Sequence, residues 1–404
     1  MSDSGREEVQ IDVLLDRQRP VPTGGLVVVF REGAGATAQI GALEAGGLRA
    51  TSLSVIADLT DFMSAEREVC AVLTDLGVAF VPDCAPGRAE ELMGMLGRQE
   101  AIADTRPEFY LFATAPFQDT AERTWGLAAT GAFESRFTGE GIKLAVLDTG
   151  LDLQHPDYSG RNVISRSFVP DEAVDDLQGH GTHCAGTAAG RSADPAALRY
   201  GVAPQADLYI GKVLNNRGAG RERDILAGMA WAVAEGCAVL SLSLGAAVRR
   251  GETFNTLYER EAQAALNAGS LIVAAAGNES SREAGYIAPV GSPANAPSIL
   301  AVAAVDQALE VAEFSSGGIN GDGGEVDLAA PGVGVFSSLP LPREYGSLRG
   351  TSMACPHVAG CAALWAQSDP ALRGRALWDR LLSTAAPLSA SERDVGRGLV
   401  QAPA

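Results

Sequence analysis

The chain lacks long hydrophobic runs and any excess of basic residues. No apolar stretch in its 404 residues approaches the roughly 20 that a transmembrane helix needs, so we expect no membrane span. Lys and Arg total 31 against 50 Asp and Glu, which gives a net charge of −19. Because phosphate groups are repelled by such a surface, the charge disfavours nucleic acid and anionic membranes as partners.

The sequence also lacks an export signal and a cysteine framework. Residues 1–23 form a polar, acid-bearing tail without the basic start and apolar core of a secretory signal. We therefore lean towards a cytoplasmic protein, unless a signal has been removed or export uses another route. The six cysteines show neither the spacing of metal ligands nor a dense disulfide pattern, and this fits a reducing compartment. They are Cys70, Cys84, Cys184, Cys237, Cys355 and Cys361.

What is present suggests two folded regions of different character. Residues 24–113 are predicted to form a small α+β domain. Its predicted elements are strands at Leu26–Phe30, Val78–Val81 and Glu108–Phe112 and helices at Ser64–Leu76 and Arg88–Arg98. Residues 114–404 alternate short apolar runs with helical stretches. These runs are rich in Val, Ile, Leu and Ala without period-two alternation, which predicts a mostly parallel sheet covered on both faces: Lys143–Leu147, Asp207–Val213, Ala238–Leu242, Ser270–Ala275 and Ile299–Val305.

Three segments of the second region carry residues suited to nucleophilic catalysis. An apolar strand ends at Asp148, before Thr149 and Gly150. His180 lies between glycines at the start of a helix of small residues. Ser352 follows Gly350 and Thr351 at the start of another such helix. A serine hydroxyl becomes nucleophilic when a neutral His accepts its proton, and a carboxylate orients that His. The order Asp, His, Ser is one of the known chain orders of such triads.

Together these segments resemble the three signatures of subtilisin-like serine peptidases, across roughly Ala115 to Ala402. The resemblance implies a three-layer α/β domain with a mostly parallel central sheet, and a triad of Asp148, His180 and Ser352. It also implies that the side-chain amide of Asn278, within Ala275-Ala276-Gly277-Asn278, completes an oxyanion hole with the backbone N–H of Ser352. No cofactor is implied for the chemistry.

The resemblance further implies which residues bind a peptide or protein substrate. The substrate would add as a strand between two flanking segments: Ser243, Leu244 and Gly245 on one side, and Gly218, Ala219 and Gly220 on the other. The specificity pocket would lie between Ala275-Ala276-Gly277 and Gly291, whose small residues leave room for a large apolar side chain before the cut. Glu279 at the rim would tolerate Lys or Arg, or it is an ordinary solvated acid.

By position and pattern, residues 24–113 resemble a propeptide that assists folding and then inhibits the enzyme. In that case the protein is made as a zymogen, its own N-terminal domain is an intramolecular partner, and cleavage falls within Phe112–Pro116. The alternative is a docking domain that stays attached. Asp157 resembles a family calcium ligand, but the loop Arg191–Ala196 departs from the family pattern, so one structural calcium ion is only a possibility.

Several alternatives remain at the level of sequence. His180 and His183 are spaced like metal ligands, but a site would still need a carboxylate or a third His to complete it. Cys184 is either a buried small side chain or a thiol close enough to influence His180. The chain could also be a dedicated maturation protease with one natural substrate, or a pseudoprotease that holds peptides without cutting them.

Overall fold

The computed structural model describes residues 22–53, 59, 62, 68–82, 88–113, 124–193 and 198–404, and it leaves the side chains of residues 110–113 undescribed. Its largest element is a sheet of seven strands in the order β14-β13-β12-β10-β6-β8-β7, in which every neighbouring pair is parallel. The strands are β6 (Lys143–Asp148), β7 (Val163–Ser167), β8 (Asp207–Lys212), β10 (Val239–Leu242), β12 (Leu271–Ala275), β13 (Leu300–Val305) and β14 (Leu328–Pro331). All five strands predicted for this region are present.

Alternate residues of these strands point into two separate cores. In β6, Leu144 and Val146 join one hydrophobic cluster, whereas Ala145 and Leu147 join the other. Helices cover both faces, which confirms the three-layer α/β architecture. The first core holds α3 (Trp125–Ala129), α4 (His180–Ala189), α7 (Thr351–Ser368) and α8 (Gly374–Thr384), and the second holds α5 (Glu222–Ala234), α6 (Thr256–Asn267) and α9 (Glu392–Val395). A hairpin of β15 (Val335–Ser338) and β16 (Tyr345–Leu348) packs beside α4.

The N-terminal unit, residues 22–113, is the expected small α+β fold. Its strands β1 (Pro22–Phe30), β2 (Arg49–Leu53), β3 (Val69–Leu73), β4 (Val78–Val81) and β5 (Ile102–Ala113) form one sheet in the order β5-β1-β4-β3-β2. Helices α1 (Ala36–Ala45) and α2 (Arg88–Leu96) place Leu43, Leu92 and Leu96 on one face of that sheet. The opposite face, including Val27 and Phe80, packs into the second core of the C-terminal unit, residues 124–404.

One predicted element was wrong. Residues 64–76 were expected to form a helix, but Val69–Leu73 is strand β3, and residues 64–67 lie outside the described part of the chain. All five residues of β3 are buried between β2 and β4. A turn ending at Gly77, whose φ of 63° suits glycine, returns the chain into β4. The strand is therefore stabilised by partners that are distant in sequence, which local periodicity does not reveal.

Strand β5 connects the two units through its backbone. Beyond its pairing with β1, it pairs antiparallel with β9 (Ala219–Arg221) and with β11 (Leu244–Gly245). Leu111 lies opposite Gly220 and Ala113 lies opposite Leu244. The end of the N-terminal unit thus forms a middle strand between two short strands of the C-terminal unit.

The helices among the described residues include none that is both long enough and apolar enough to cross a bilayer. The predicted polar tail up to residue 21, most of the predicted cleavage range and Cys84 lie outside the described residues. Cys184, Cys237, Cys355 and Cys361 are buried free thiols, and Cys70 is buried as well.

Candidate active site

Asp148 is held at the carboxyl end of β6, where the parallel sheet opens towards its ligand-binding edge. Its Oδ1 accepts a hydrogen bond from the backbone N–H of Thr149 at 2.7 Å, and its side chain is buried. Gly150 follows with φ of 108°, and any Cβ there would collide with the carbonyl oxygen of Val174. Glycine is therefore required for the chain to turn directly after the carboxylate.

His180 is the first residue of α4, which begins beside that turn. Its Nδ1–H donates to Asp148, at 2.8 Å from Oδ1 and 3.0 Å from Oδ2, and the ring is fully buried. Burial favours the neutral ring, but the charge of Asp148, the hydrogen bond that His180 donates to it and the charge of Asp176 outweigh burial and raise the pKa of His180. The pair has the geometry of a carboxylate that orients an imidazole and stabilises its protonated form.

Ser352 is the second residue of α7, at the positive end of a buried helix. Its Oγ donates to the carbonyl oxygen of Ser243 at 3.4 Å. The hydroxyl of Ser243 in turn donates to the carbonyl oxygen of Ser352 at 2.7 Å, which ties the start of α7 to the segment before β11. Within the described part of the chain, Nε2 of His180 has no hydrogen-bond partner, so the bond from Ser352 to His180 is not formed in this conformation.

Asn278 lies three residues after β12, close to the start of α7. Its Oδ1 accepts hydrogen bonds from the N–H of Thr351 at 2.8 Å and from the Thr351 hydroxyl at 3.1 Å. The bond from the N–H of Thr351 determines which side of the amide is oxygen, since a backbone N–H can only donate. Its Nδ2 is buried and lacks a hydrogen-bond partner among the described residues.

Most of the predicted substrate-binding residues lie beside Ser352. A narrow pocket opens beside it, lined by Leu244, Gly245, Ala246, Ala275, Gly277, Glu279, Gly291, Thr351 and Ser352. Ala276 is buried beneath this lining, where its carbonyl oxygen accepts from the N–H of Gly291 at 2.9 Å. On the far side, Ala219 and Gly220 lie in β9, and Gly218 turns the chain before it with φ of 79°.

Glu279 is folded back onto its own backbone. Its Oε2 accepts from the N–H of Asn278 at 2.8 Å, and the hydroxyl of Ser316 lies 3.4 Å away. A wider cleft of about 620 Å³ adjoins it and is lined by Arg249, Arg250 and Tyr286 among others. Sequence reasoning missed the two arginines, although consecutive basic residues are a visible signal in so acidic a chain.

His183 does not form the metal site considered for it together with His180, and Cys184 is a buried thiol beside the ring of His180. His183 donates from Nε2 to the carbonyl oxygen of Val335 at 3.0 Å, and burial lowers its pKa to about 3. Cys184 is buried, with its sulfur 3.8 Å from Nδ1 of His180, and burial raises its thiol pKa well above the ordinary value. Among the described residues, Asp148, His180 and Cys184 do bring possible ligand atoms within 4.8 Å of one another, but the first two are already bonded to each other.

Asp157, the predicted calcium ligand, is buried and surrounded by hydrogen-bond donors. It accepts from the N–H of Ala193 at 2.7 Å, from the hydroxyl of Tyr345 at 2.9 Å and from the hydroxyl of Tyr200. These contacts engage both carboxylate oxygens with neutral donors, so the described residues here do not fit a calcium ion. Residues 194–197 of the loop expected to supply further ligands lie outside the description, and calcium elsewhere in the protein stays a prediction.

Comparisons with known proteins agree with this arrangement of strands and helices. A family model described as "Subtilase family" matches residues 139–398. The chain is 42% identical to subtilisin of Bacillus pumilus over 266 residues, which is 65% of this chain and 90% of that protein. Its identity to subtilisin E of Bacillus subtilis is also 42% over 266 residues, 65% of either chain. With subtilisin Savinase of Lederbergia lenta it shares 40% over 284 residues, which is 69% of this chain and 97% of that protein. The protein therefore belongs to the subtilase family and is a subtilisin-like serine endopeptidase.

Proposed function

We propose that this endopeptidase cleaves through an acyl-enzyme formed on Ser352, with His180 as the base and Asp148 as the residue that orients it. The Oγ of Ser352 attacks the carbonyl carbon of the scissile bond while Nε2 of His180 takes its proton. Asn278 Nδ2 and the N–H of Ser352 donate to the oxyanion. His180 then gives the proton to the departing amine, and a water molecule, deprotonated by the same ring, hydrolyses the ester.

One observation carries this proposal. Among the buried polar atoms of the described residues that lack a hydrogen-bond partner are Nε2 of His180 and Nδ2 of Asn278. An unsatisfied buried polar atom costs about 1–3 kcal/mol, so proteins rarely keep one without a use. Both belong to residues in contact with the elements that hold Ser352: Asn278 bonds to Thr351, and Cys184 of the His180 helix bonds to the carbonyl of Ser352. A transition state at Ser352 would supply the missing partners.

The pocket beside Ser352 supports a preference for a large apolar side chain before the scissile bond. Its lining combines three glycines with Ala246 and Ala275 and so presents few polar groups, and its volume of about 10 Å³ means that the pocket must widen to accept a large side chain. Glu279 belongs to the same lining, and its carboxylate could turn to meet a Lys or Arg side chain. The contacts of Glu279 include the N–H of Asn278 and the hydroxyl of Ser316, both neutral, and a basic substrate side chain would offer its carboxylate a charged partner in their place.

We also propose that the protein is a zymogen in which the N-terminal unit blocks the cleft. The support is the backbone of β5, which pairs with β9 and β11 on both sides. A substrate bound as an added strand would need the same two edges, so the two are expected to exclude each other. The predicted processing range, Phe112–Pro116, begins at the end of this strand, and its last three residues lie outside the description. The rival is a docking unit that stays attached after activation.

The test is covalent labelling of the purified chain with a fluorophosphonate probe. We expect Ser352 to be labelled and Ser352→Ala to lose both labelling and peptide hydrolysis. Ser368→Ala, at the other end of the same helix, is the matched control and should keep both. Failure of the wild type to react, under conditions that label a reference serine peptidase, would favour the pseudoprotease.

A processed form of Ser352→Ala would instead show that another protease performs the maturation. Cleavage of a proteome-derived peptide library then separates a broad enzyme from a dedicated one. Many cut sequences with large apolar residues before the bond are expected, and a single sequence motif would indicate one natural substrate.

A further inference from the structure

Asp176 is a buried carboxylate that neither of the proposed catalytic steps uses. It lies in the loop before α4, four residues ahead of His180, and only 1% of its surface is exposed. Burying a charge is costly unless hydrogen bonds replace its water shell. Here that water shell is fully replaced, because five hydrogen-bond donors of the protein surround the two carboxylate oxygens of Asp176.

The five donors come from two segments that must stay in register for His180 to meet Asp148. Oδ1 accepts from the hydroxyl of Thr149 at 2.8 Å and from the N–H groups of Gln178 at 3.0 Å and Gly179 at 2.8 Å. Oδ2 accepts from the N–H and the hydroxyl of Thr182, each at 2.8 Å. Thr149 is next to Asp148 in the chain, and Thr182 is in the first turn of the helix that begins at His180.

The same network satisfies the free amides at the start of α4. The N-terminal residues of a helix have N–H groups without intrahelical partners. Gly179 occupies the capping position but has no side chain to offer. The N–H of His180 donates instead to Oε1 of Gln178 at 2.7 Å, that of Gly181 to Oγ1 of Thr149 at 2.8 Å, and that of Thr182 to Asp176. Gly179, whose φ is 101°, lets the backbone turn here, and side chains of other residues therefore cap the start of the helix.

We propose that Asp176 is a positioning residue for the His180–Asp148 pair. It holds the first turn of α4 against the turn that follows β6, so that the imidazole and the carboxylate keep their spacing of 2.8 Å. This inference rests on the proposed roles of His180 and Asp148. A displacement of the order of 1 Å at a reacting group can lower the rate about 100-fold, so such a support has kinetic consequences.

The charge of Asp176 gives the proposal a signature that a purely structural residue would lack. Among the described residues, the titratable or charged groups around His180 are Asp148 of β6, Asp176 of the preceding loop, and His183 and Cys184 of α4. Lys212 of β8 is close to the two carboxylates, and its Nζ donates to the carbonyl oxygen of Thr149. Burial lowers the pKa of His180, while Asp148 and then Asp176 raise it. Removing the charge of Asp176 should therefore lower the pKa of His180 and move the acid limb of activity to lower pH.

The experiment compares Asp176→Asn with Asp175→Asn. Each variant is produced as the full chain and then processed in the same way as the wild type. Both remove one negative charge from the same loop, but Asp175 is exposed. For Asp176→Asn we expect kcat to fall about tenfold or more, KM to change much less, and the acid limb of kcat/KM to move to lower pH. Asp175→Asn should match the wild type. Equal kinetics and pH profiles for the two variants would overturn the proposal.

A second pair covers the case in which Asp176→Asn does not fold. Thr149→Val removes the hydroxyl that links Asp176 to the N–H of Gly181, while Thr149→Ser retains it. We expect the Val variant to have a lower kcat than the wild type and an unmoved acid limb of kcat/KM, since the charge of Asp176 remains. The Ser variant should have a kcat close to that of the wild type. Equal activity of the Val and Ser variants would reject the positioning role. An inactive wild type would instead reject the proposed triad, so the two failures are distinguishable.

Discussion

Replacing Arg106 by Met should weaken the contact between the N-terminal unit and the C-terminal unit. Arg106 lies in β5, and its Nη1 donates to Oε2 of Glu222 at 2.7 Å. The two side chains are only 19% and 3% exposed, so the ion pair is largely removed from water. Met keeps most of the apolar stem of Arg but leaves the carboxylate of Glu222 without its cation.

The size of the loss follows from what remains around Glu222. Removing one partner of a buried ion pair costs about 3–5 kcal/mol, because the other charge is left buried. Glu222 retains the N–H of Phe109 at 3.2 Å, the side-chain amide of Asn255 at 3.0 Å and the positive end of α5. These contacts, and the partial exposure of Arg106, reduce the expected loss to about 2–3 kcal/mol, which is roughly 30- to 150-fold in affinity.

The assay is inhibition of the processed enzyme by an added fragment of residues 1–113, measured with a chromogenic peptide. Comparing variant with wild-type fragment cancels any cost of ordering the free fragment. Arg98→Met is the matched control, because Arg98 is also in the N-terminal unit but is exposed. We expect a 30- to 150-fold rise in the inhibition constant for Arg106→Met and almost none for Arg98→Met.

The loss should also depend on pH in a defined direction. Burial raises the pKa of Glu222, and Arg106 opposes this shift. Without Arg106 the pKa rises further, so acidification protonates Glu222 and removes the unpaired charge. The ratio of the two inhibition constants should therefore shrink as pH falls. A ratio below about threefold at neutral pH, or one that grows on acidification, would refute the reasoning.

Three further predictions follow from the described contacts. Asn278→Ala should lower kcat by roughly 10²–10³ with little change in KM, as removal of an oxyanion-hole donor does in a subtilisin, and an effect confined to KM would argue against that role. Tyr345→Phe removes a hydroxyl bonded to buried Asp157 and should lower the free energy of unfolding by about 1–3 kcal/mol in denaturant titrations, while Tyr286→Phe, which is 48% exposed, should not. A fragment ending at Pro107 lacks the part of β5 that pairs with β9 and β11, and it should lose most of its inhibition. Undiminished inhibition would favour the docking role of the N-terminal unit.

The parts of the fold that could be predicted are those specified by short stretches of sequence. Strands buried on both faces need apolar residues at every position, and Leu144 to Leu147 show how consecutive residues serve both cores. The turns after Asp148 and before His180 each need a glycine with positive φ, and these glycines are also what made the motifs visible. The predicted segments could therefore be placed along the chain, although local sequence gives no distances between them.

What could not be predicted depends on partners far apart in sequence. Strand β3 was read as helical because its pairing with β2 and β4 leaves no mark within its own residues. Likewise, nothing in the segment around Arg106 indicates that its partner is 116 residues away. The motif around Asp157 made it a candidate calcium ligand, and it gave no sign that the hydroxyls of Tyr200 and Tyr345 donate to this carboxylate.

Asp176 shows why polar networks are harder to predict than cores. An apolar residue contributes to a core wherever it is buried, since the hydrophobic effect is non-directional. A buried carboxylate is stabilised only by donors in particular directions, and four of its five donors here are amides or hydroxyls within six residues of it. The fifth, from Thr149, is 27 residues away and is the one that links the loop to Asp148. The four local bonds hold the loop against the start of α4. The distant bond connects that loop to Thr149, next to Asp148, the carboxylate to which His180 donates.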